Sequence, residues 1–139
     1  MFVLALVSIV ACNQQTKKNS TKETKVKTSS QSTGDKPKIH FTESEHDFGE
    51  LVAGETVTYA FKFSNSGGAD LIISNVRTTC GCTVSDFPKE PIKPGESGVI
   101  KLTFDSRGRQ GYQNKTATVT SNASNQLVVL RLKATVKNS

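Results

Sequence analysis

The sequence predicts an all-β fold, two sheets packed face to face, over residues 39–139. Three observations predict it. Apolar side chains recur on alternate residues in several short segments, as they do where one face of a strand is buried. Clusters of Gly, Pro, Asn and Ser separate those segments at short intervals. No window carries an apolar i, i+3, i+4, i+7 stripe of useful length, so no helical layer is expected.

Ile39 to Phe41 opens the domain. Val57, Tyr59, Phe61 and Phe63 then alternate with Thr56, Thr58, Ala60 and Lys62, and the strand stops at Asn65-Ser66-Gly67-Gly68. Ala69 to Val76 supplies Leu71, Ile72, Ile73 and Val76 for a further strand, and a short one surrounds Thr83. Ile100, Leu102 and Phe104 alternate after Pro94-Gly95, and Gly108 and Gly111 mark the next loop. Gln113 to Ser121 is Thr-rich with Ala117 and Val119 between. Val128, Leu130, Leu132, Ala134 and Val136 form one face of a last long strand, with Val129, Arg131 and Lys133 on the other. The expectation is a sandwich of about seven strands. The chain has no Trp, which excludes the Cys…Trp…Cys core of antibody domains.

Residues 1–11 have the character of a signal peptide. The apolar run from Phe2 to Ala11 is far shorter than the ~20 residues a membrane-spanning helix needs. It ends Ile9-Val10-Ala11-Cys12, which resembles the bacterial lipobox, although no Lys or Arg precedes the run. The resemblance implies diacylation of the Cys12 thiol, cleavage before it and acylation of the new amine, and several acyl chains anchor stably where one does not. The chain has three cysteines, and acylating Cys12 removes the odd one from an oxidising compartment. Asn13 in place of an aspartate resembles the sorting rule for the outer membrane, so the expected location is its periplasmic face.

Residues 12–38 comprise the lipidated Cys12 and a tether of Lys, Thr, Ser, Gln, Asn and Glu, with Val26 its one large apolar side chain. Such a segment cannot bury enough surface to offset its ordering entropy and is expected to be disordered. As a flexible coil it spans roughly 30 Å. The net charge of +6 resides mostly here: residues 13–38 carry +5 and the rest of the chain +1. No nucleic-acid partner is therefore expected of the domain. The lysines suit either a solvated spacer or an anionic lipid surface.

One set of residues runs through the domain: Asp47-Phe48-Gly49, Gly54, the alternating strand to Phe63, Asn65 with Gly67, and Leu71 with Ile73. It continues through Cys80-Gly81-Cys82-Thr83, Ile92 with Pro94-Gly95, Ile100, Phe104-Asp105-Ser106, Gly108, Gly111 and Lys115. In these residues the domain is similar to a bacterial family known as domain of unknown function 1573, related to the abnormal-spindle and hydin immunoglobulin-like modules. The resemblance implies an exported, immunoglobulin-like seven-stranded sandwich with no settled activity.

Cys80 and Cys82 are the candidate reactive pair, with Gly81, Thr83 and Arg77 as supporting residues. In an extended chain their side chains share a face, with Cα atoms about 6.5–7 Å apart, at the edge of disulfide geometry. Gly81 has torsions open to it that let the chain bend. Three readings stand: a structural disulfide fixing the following loop, a redox-labile pair with Arg77 favouring thiolate, or a soft-metal site for Cu(I) or Zn. Two thiolates are too few for a closed zinc site, so the metal is left unassigned.

The remaining polar residues give no catalytic constellation. His40 and His46 are expected at the surface or in packing, and Glu43, Glu45, Asp47 and Glu50 at the solvated start of the sandwich. Arg107 and Arg109 read as an exposed Gly-containing turn. Asn114-Lys115-Thr116 and Asn122-Ala123-Ser124 match glycosylation sequons that have no expected role in a bacterial lipoprotein. The expected protein is a monomeric, non-enzymatic module without a cofactor. It meets a lipid membrane through Cys12 and an unidentified protein or envelope partner through its domain. The rival is a periplasmic thiol or Cu(I) protein using the Cys-Gly-Cys motif.

Overall fold

Each alternating segment forms a strand with its apolar side turned inward. The structure, a computed structural model, describes residues 35–81 and 83–138; the leader, Cys12, the tether to residue 34, and Cys82 lie outside the described residues. The strands are β1 (Ile39–Phe41), β2 (Glu45–Val52), β3 (Thr56–Asn65), β4 (Ile73–Thr78), β5 (Thr83–Asp86), β6 (Ser97–Asp105), β7 (Gly111–Ser121) and β8 (Leu127–Lys137). They make two four-stranded sheets, ordered β1-β3-β6-β5 and β2-β8-β7-β4. Every ladder is antiparallel except that of β2, which runs parallel to β8. The whole is an immunoglobulin-like β-sandwich.

The expected seven strands become eight because one N-terminal run changes sheets. The chain pairs with β3 as β1, crosses at residues 42–44, and pairs with β8 as β2. β2 reads Glu-His-Asp-Phe-Gly-Glu-Leu-Val, and its register shifts between Asp47 and Glu50. That bulge breaks the period-two pattern and hides the strand from sequence. Gly49 makes it possible, at φ 71°, with its N–H donating to Asp47 Oδ1 at 2.8 Å.

The strand expected over 69–76 starts later, at Ile73. Leu71 instead makes an isolated bridge to Ile92, each N–H donating to the other's carbonyl at 2.9 Å, and Ile72 is exposed. Three adjacent apolar residues have no period, so sequence alone cannot say which of them turn inward.

The core lies between the sheets. Phe61, Phe63, Ile100, Leu102 and Phe104 from one sheet meet Ala117, Val119, Leu130 and Leu132 from the other, all essentially inaccessible to solvent. Each large apolar side chain buried this way contributes about 1.5–3 kcal/mol. Gly98 faces Phe63 across the β3–β6 ladder, and a Cβ there would lie 2.5 Å from the ring.

Two buried polar residues pin the loops. The Asn65 side chain accepts from the N–H of Lys38 at 3.3 Å and of Gly67 at 3.0 Å, and donates to the carbonyls of Ala69 at 2.7 Å and Ile92 at 2.9 Å. Ser106 Oγ accepts from Gly54 N–H at 3.1 Å and lies 2.8 Å from the Glu55 carbonyl and 3.1 Å from that of Val52, closing the β2–β3 turn. Replacing Asn65 by Ala orphans four backbone partners, that of Ile92 buried and the others partly so, and should cost about 3 kcal/mol in urea unfolding. Asn125→Ala, at an exposed side chain that bonds only Ile39, should cost about 1 kcal/mol. Equal losses would remove the special place of Asn65.

Candidate functional site

The chain crosses from one sheet to the other between β4 and β5, and the Cys-Gly-Cys motif is that crossing. Thr79 N–H donates to the Thr116 carbonyl at 3.0 Å, the last rung of the β4–β7 ladder. Thr83 N–H then returns to the Cys80 carbonyl at 3.2 Å, closing a turn. Thr78 Oγ1 spans the crossing, donating to the Thr83 carbonyl at 2.9 Å, and Ser85 Oγ donates back to Val76 at 3.2 Å. These bonds hold the turn without a special torsion at Gly81, which has no positive φ and whose Cβ position is open space. The torsional freedom expected of Gly81 is therefore not what bends the chain here.

Cys80 is half-buried, its Sγ 3.8 Å from the Oγ1 of buried Thr83. It is engaged with a partner. Cys82 lies outside the described residues. Arg77, in register with Thr118, turns to the outer face of the sheet and is exposed. Among the described residues no group of three His, Cys, Asp or Glu side chains is placed to hold a metal.

A cation that sequence reading did not connect to this corner is Lys115. It shares the inward parity of Ala117 and Val119 on β7 and faces buried Leu132 across the ladder. Its Nζ lies 6.0 Å from the ring of Phe104, and Phe104 is the register partner of Thr83. Burial, and then the charge of Arg109, holds the Lys115 ammonium below the ordinary lysine range. The parity of Lys115 within its strand could have revealed it. Arg107, by contrast, is exposed and grips Asp105 at 2.5 Å; that hydrogen bond lowers the Asp105 carboxyl and raises the guanidinium.

The opposite flank of the sandwich is open. Thr42 N–H donates to the Lys62 carbonyl at 3.1 Å, so the even-numbered residues of β3 turn their backbone groups to the β1 side. β1 covers only Phe63 to Asn65. Among the described residues no strand lies beside Thr56, Thr58 and Ala60 on that side. Half-buried Phe41, His46, Phe48 and Tyr59 fill the gap between the sheets there. His46 stacks on Tyr59 with ring centroids 3.6 Å apart and meets Phe48 edge-on at 4.8 Å, so it serves packing; His40 is exposed.

The acidic cluster beside this flank is engaged locally. Glu45 pairs with Lys133 at 2.5 Å and Glu50 with Lys137 at 2.6 Å. Glu45 raises the Lys133 pKa through that hydrogen bond. Asn122, the first residue of the second sequon, accepts from Ile72 N–H at 2.8 Å and donates to the Asp70 carbonyl at 3.0 Å. Open clefts of about 610 and 340 Å³ lie at Lys36–Ser66–Ser124 and at Lys62–Gly98, and neither borders Cys80. No helix among the described residues is long and apolar enough to cross a membrane.

A lysine whose pKa is lowered by folding binds its proton more tightly in the unfolded chain. Its charge therefore opposes folding below the shifted pKa, and the penalty fades as pH rises toward about 10.4. Lys115→Met should stabilise the domain at neutral pH, by less than about 1 kcal/mol because the side chain keeps much of its solvent. The gap from the parent should narrow in urea titrations as pH rises from 7 to 10; a gap that widens would contradict this account.

The sequence profile described as "Protein of unknown function (DUF1573)" matches residues 39–136. No curated protein matches the chain. Among solved structures, a protein of unknown function from Porphyromonas gingivalis W83 is similar at 23% identity and TM-score 0.63, over 71% of this chain and 46% of that one. The ASH/PapD-like domain 7 of human CEP192 is similar at 10% identity and TM-score 0.62, over 98% of each chain. The VesB protease of Vibrio cholerae is similar at 11% identity and TM-score 0.59, over 72% of this chain and 32% of that protein. This chain thus spans less than half the length of both bacterial proteins, and at these identities the likeness is one of fold. The profile covers most of the chain, and the chain belongs to the DUF1573 family.

Proposed function

We propose that this chain is a membrane-anchored periplasmic lipoprotein whose sandwich is a non-enzymatic binding module for a protein or another cell-envelope component. Acylated Cys12 holds it to the periplasmic face of the outer membrane, and the lysine-rich tether sets its reach. The observation that supports the binding reading most directly is the open edge of β3. Among the described residues no strand pairs the outward backbone donors and acceptors of Thr56, Thr58 and Ala60, which lie beside a strip of half-buried aromatic rings. An extended segment of a partner adds to such an edge with main-chain hydrogen bonds, and alternate side chains enter the strip. Cys80 and Cys82 form a disulfide that clasps the crossing, a pairing supported by the engaged state of Cys80 and by its proximity in sequence to Cys82. A second reading, thiol chemistry at the same pair, is supported by inward-facing Lys115.

Cys12→Ser should move the protein from the membrane to the soluble periplasmic fraction; retention in membranes would rule out the lipid anchor. A photo-crosslinking amino acid at Thr58 should give a discrete adduct in cells. Ala60→Pro should remove that adduct while leaving the fold intact, because the lost N–H faces the open side and not the β6 ladder. An adduct unaffected by Ala60→Pro would argue against strand addition.

A further inference from the structure

The inward side of a sandwich strand is an unfavourable place for a lysine, and half-buried Lys115 stands there beside a second cation, Arg109. The carboxylates of the described residues do not offset it. Asp105 is held by Arg107, Glu45 by Lys133 and Glu50 by Lys137. Asp86 lies on the outer face of β5, in register with Lys101. Two routes lead from Lys115 to Cys80. Through one sheet, Thr116, next to Lys115, bonds Thr79, next to Cys80. Through the other, the Lys115 ammonium reaches Phe104, the partner of Thr83, whose hydroxyl lies 3.8 Å from the Cys80 sulfur. Cys80 and Lys115 are thus the next residues beyond the bonded Thr79–Thr116 pair at the end of the β4–β7 ladder, in a partly desolvated corner where a positive charge acts on a nearby anion. The one other cation near in sequence, Arg77, faces away.

We propose that Lys115 is a positioning residue for thiol–disulfide exchange, holding the Cys80 sulfur as thiolate so that a dithiol partner protein can reduce the Cys80–Cys82 bond. The inference rests on the Cys80–Cys82 pairing advanced above. A thiol of the partner gives its proton to solvent, and its thiolate attacks the Cys82 sulfur, forming a mixed disulfide. The Cys80–Cys82 bond breaks, and its electron pair leaves on Cys80, where the Lys115 ammonium stabilises the anion. The second thiol of the partner, also losing its proton, then attacks its own sulfur in the mixed disulfide and releases Cys82. The partner ends oxidised to a disulfide and this chain reduced by two electrons, with two protons taken from solvent when both its sulfurs are protonated.

The test uses the full chain with Cys12→Ser and Cys82→Ser, which leaves Cys80 as its single thiol. Iodoacetamide alkylation is followed by intact mass from pH 5 to 10. The midpoint should fall below the value of about 8.5 for an ordinary thiol. Lys115→Met should raise it by about one unit, a roughly tenfold loss of thiolate at neutral pH. Lys115→Arg should keep the low midpoint and Arg77→Gln should leave it unchanged. A Lys115→Met profile that superimposes on the parent's, or an Arg77→Gln shift of equal size, overturns the proposal.

In the chain carrying only Cys12→Ser, oxidation should remove two hydrogens by mass. Lys115→Met should then require more dithiothreitol for half reduction, by up to about tenfold at a pH above both midpoints. If the pair forms while Lys115→Met changes neither readout, the role of Lys115 falls and the disulfide stands. If the two hydrogens are never lost, the pairing itself is wrong and the exchange falls with it.

Discussion

The long strands in this domain each have an apolar face, and the two sheets exist because those faces have nowhere else to go. Phe61, Phe63 and Phe104 on one side and Val119, Leu130 and Leu132 on the other are removed from water only when the sheets meet. The requirement decides where the chain must cross between layers. Among its crossings are those at residues 42–44 and between β4 and β5, and both candidate sites lie at these two. The first crossing uncovers the flank of β3, because the run that begins to pair with it is drawn away to β8 after three residues.

Crossings and turns strip backbone groups of their ladder partners, and this domain replaces those partners with a few polar side chains. Asn65 and Ser106 are fully buried, and each ties together segments far apart in sequence. No buried side-chain polar atom among the described residues lacks a hydrogen-bond partner. A sandwich satisfied in this way tolerates open edges, since its loops do not depend on a neighbour to complete their hydrogen bonding.

Against that consistency Lys115 is an exception. Local rules ask for an apolar or small residue at its position, as at Ala117 and Val119 on the same face. A place where such rules are broken without an evident gain in stability is where function is to be sought. Half-buried Cys80 follows Thr79, which bonds Thr116 beside Lys115, and this makes a reason in thiol chemistry more economical than one in packing.

Much of the architecture was legible in the order of residues. Alternation over Val57 to Phe63, Ile100 to Phe104 and Val128 to Val136 specified strand positions and inward faces, because side-chain direction in a strand depends only on parity. The Cys-Gly-Cys motif was legible as a place of interest. Strand β2 was not, because its bulge breaks the parity and its acidic residues find partners on β8, 87 and 88 residues later in the chain. Nor was the Thr79–Thr116 bond that brings the segments of Cys80 and Lys115 side by side, or the outward turn of Arg77, three residues from Cys80 and nearer to it in sequence than any other cation. Parity says which way a residue points within its own strand. Which residues of distant strands then share a corner is decided by long-range register, and only the packed sheets set that.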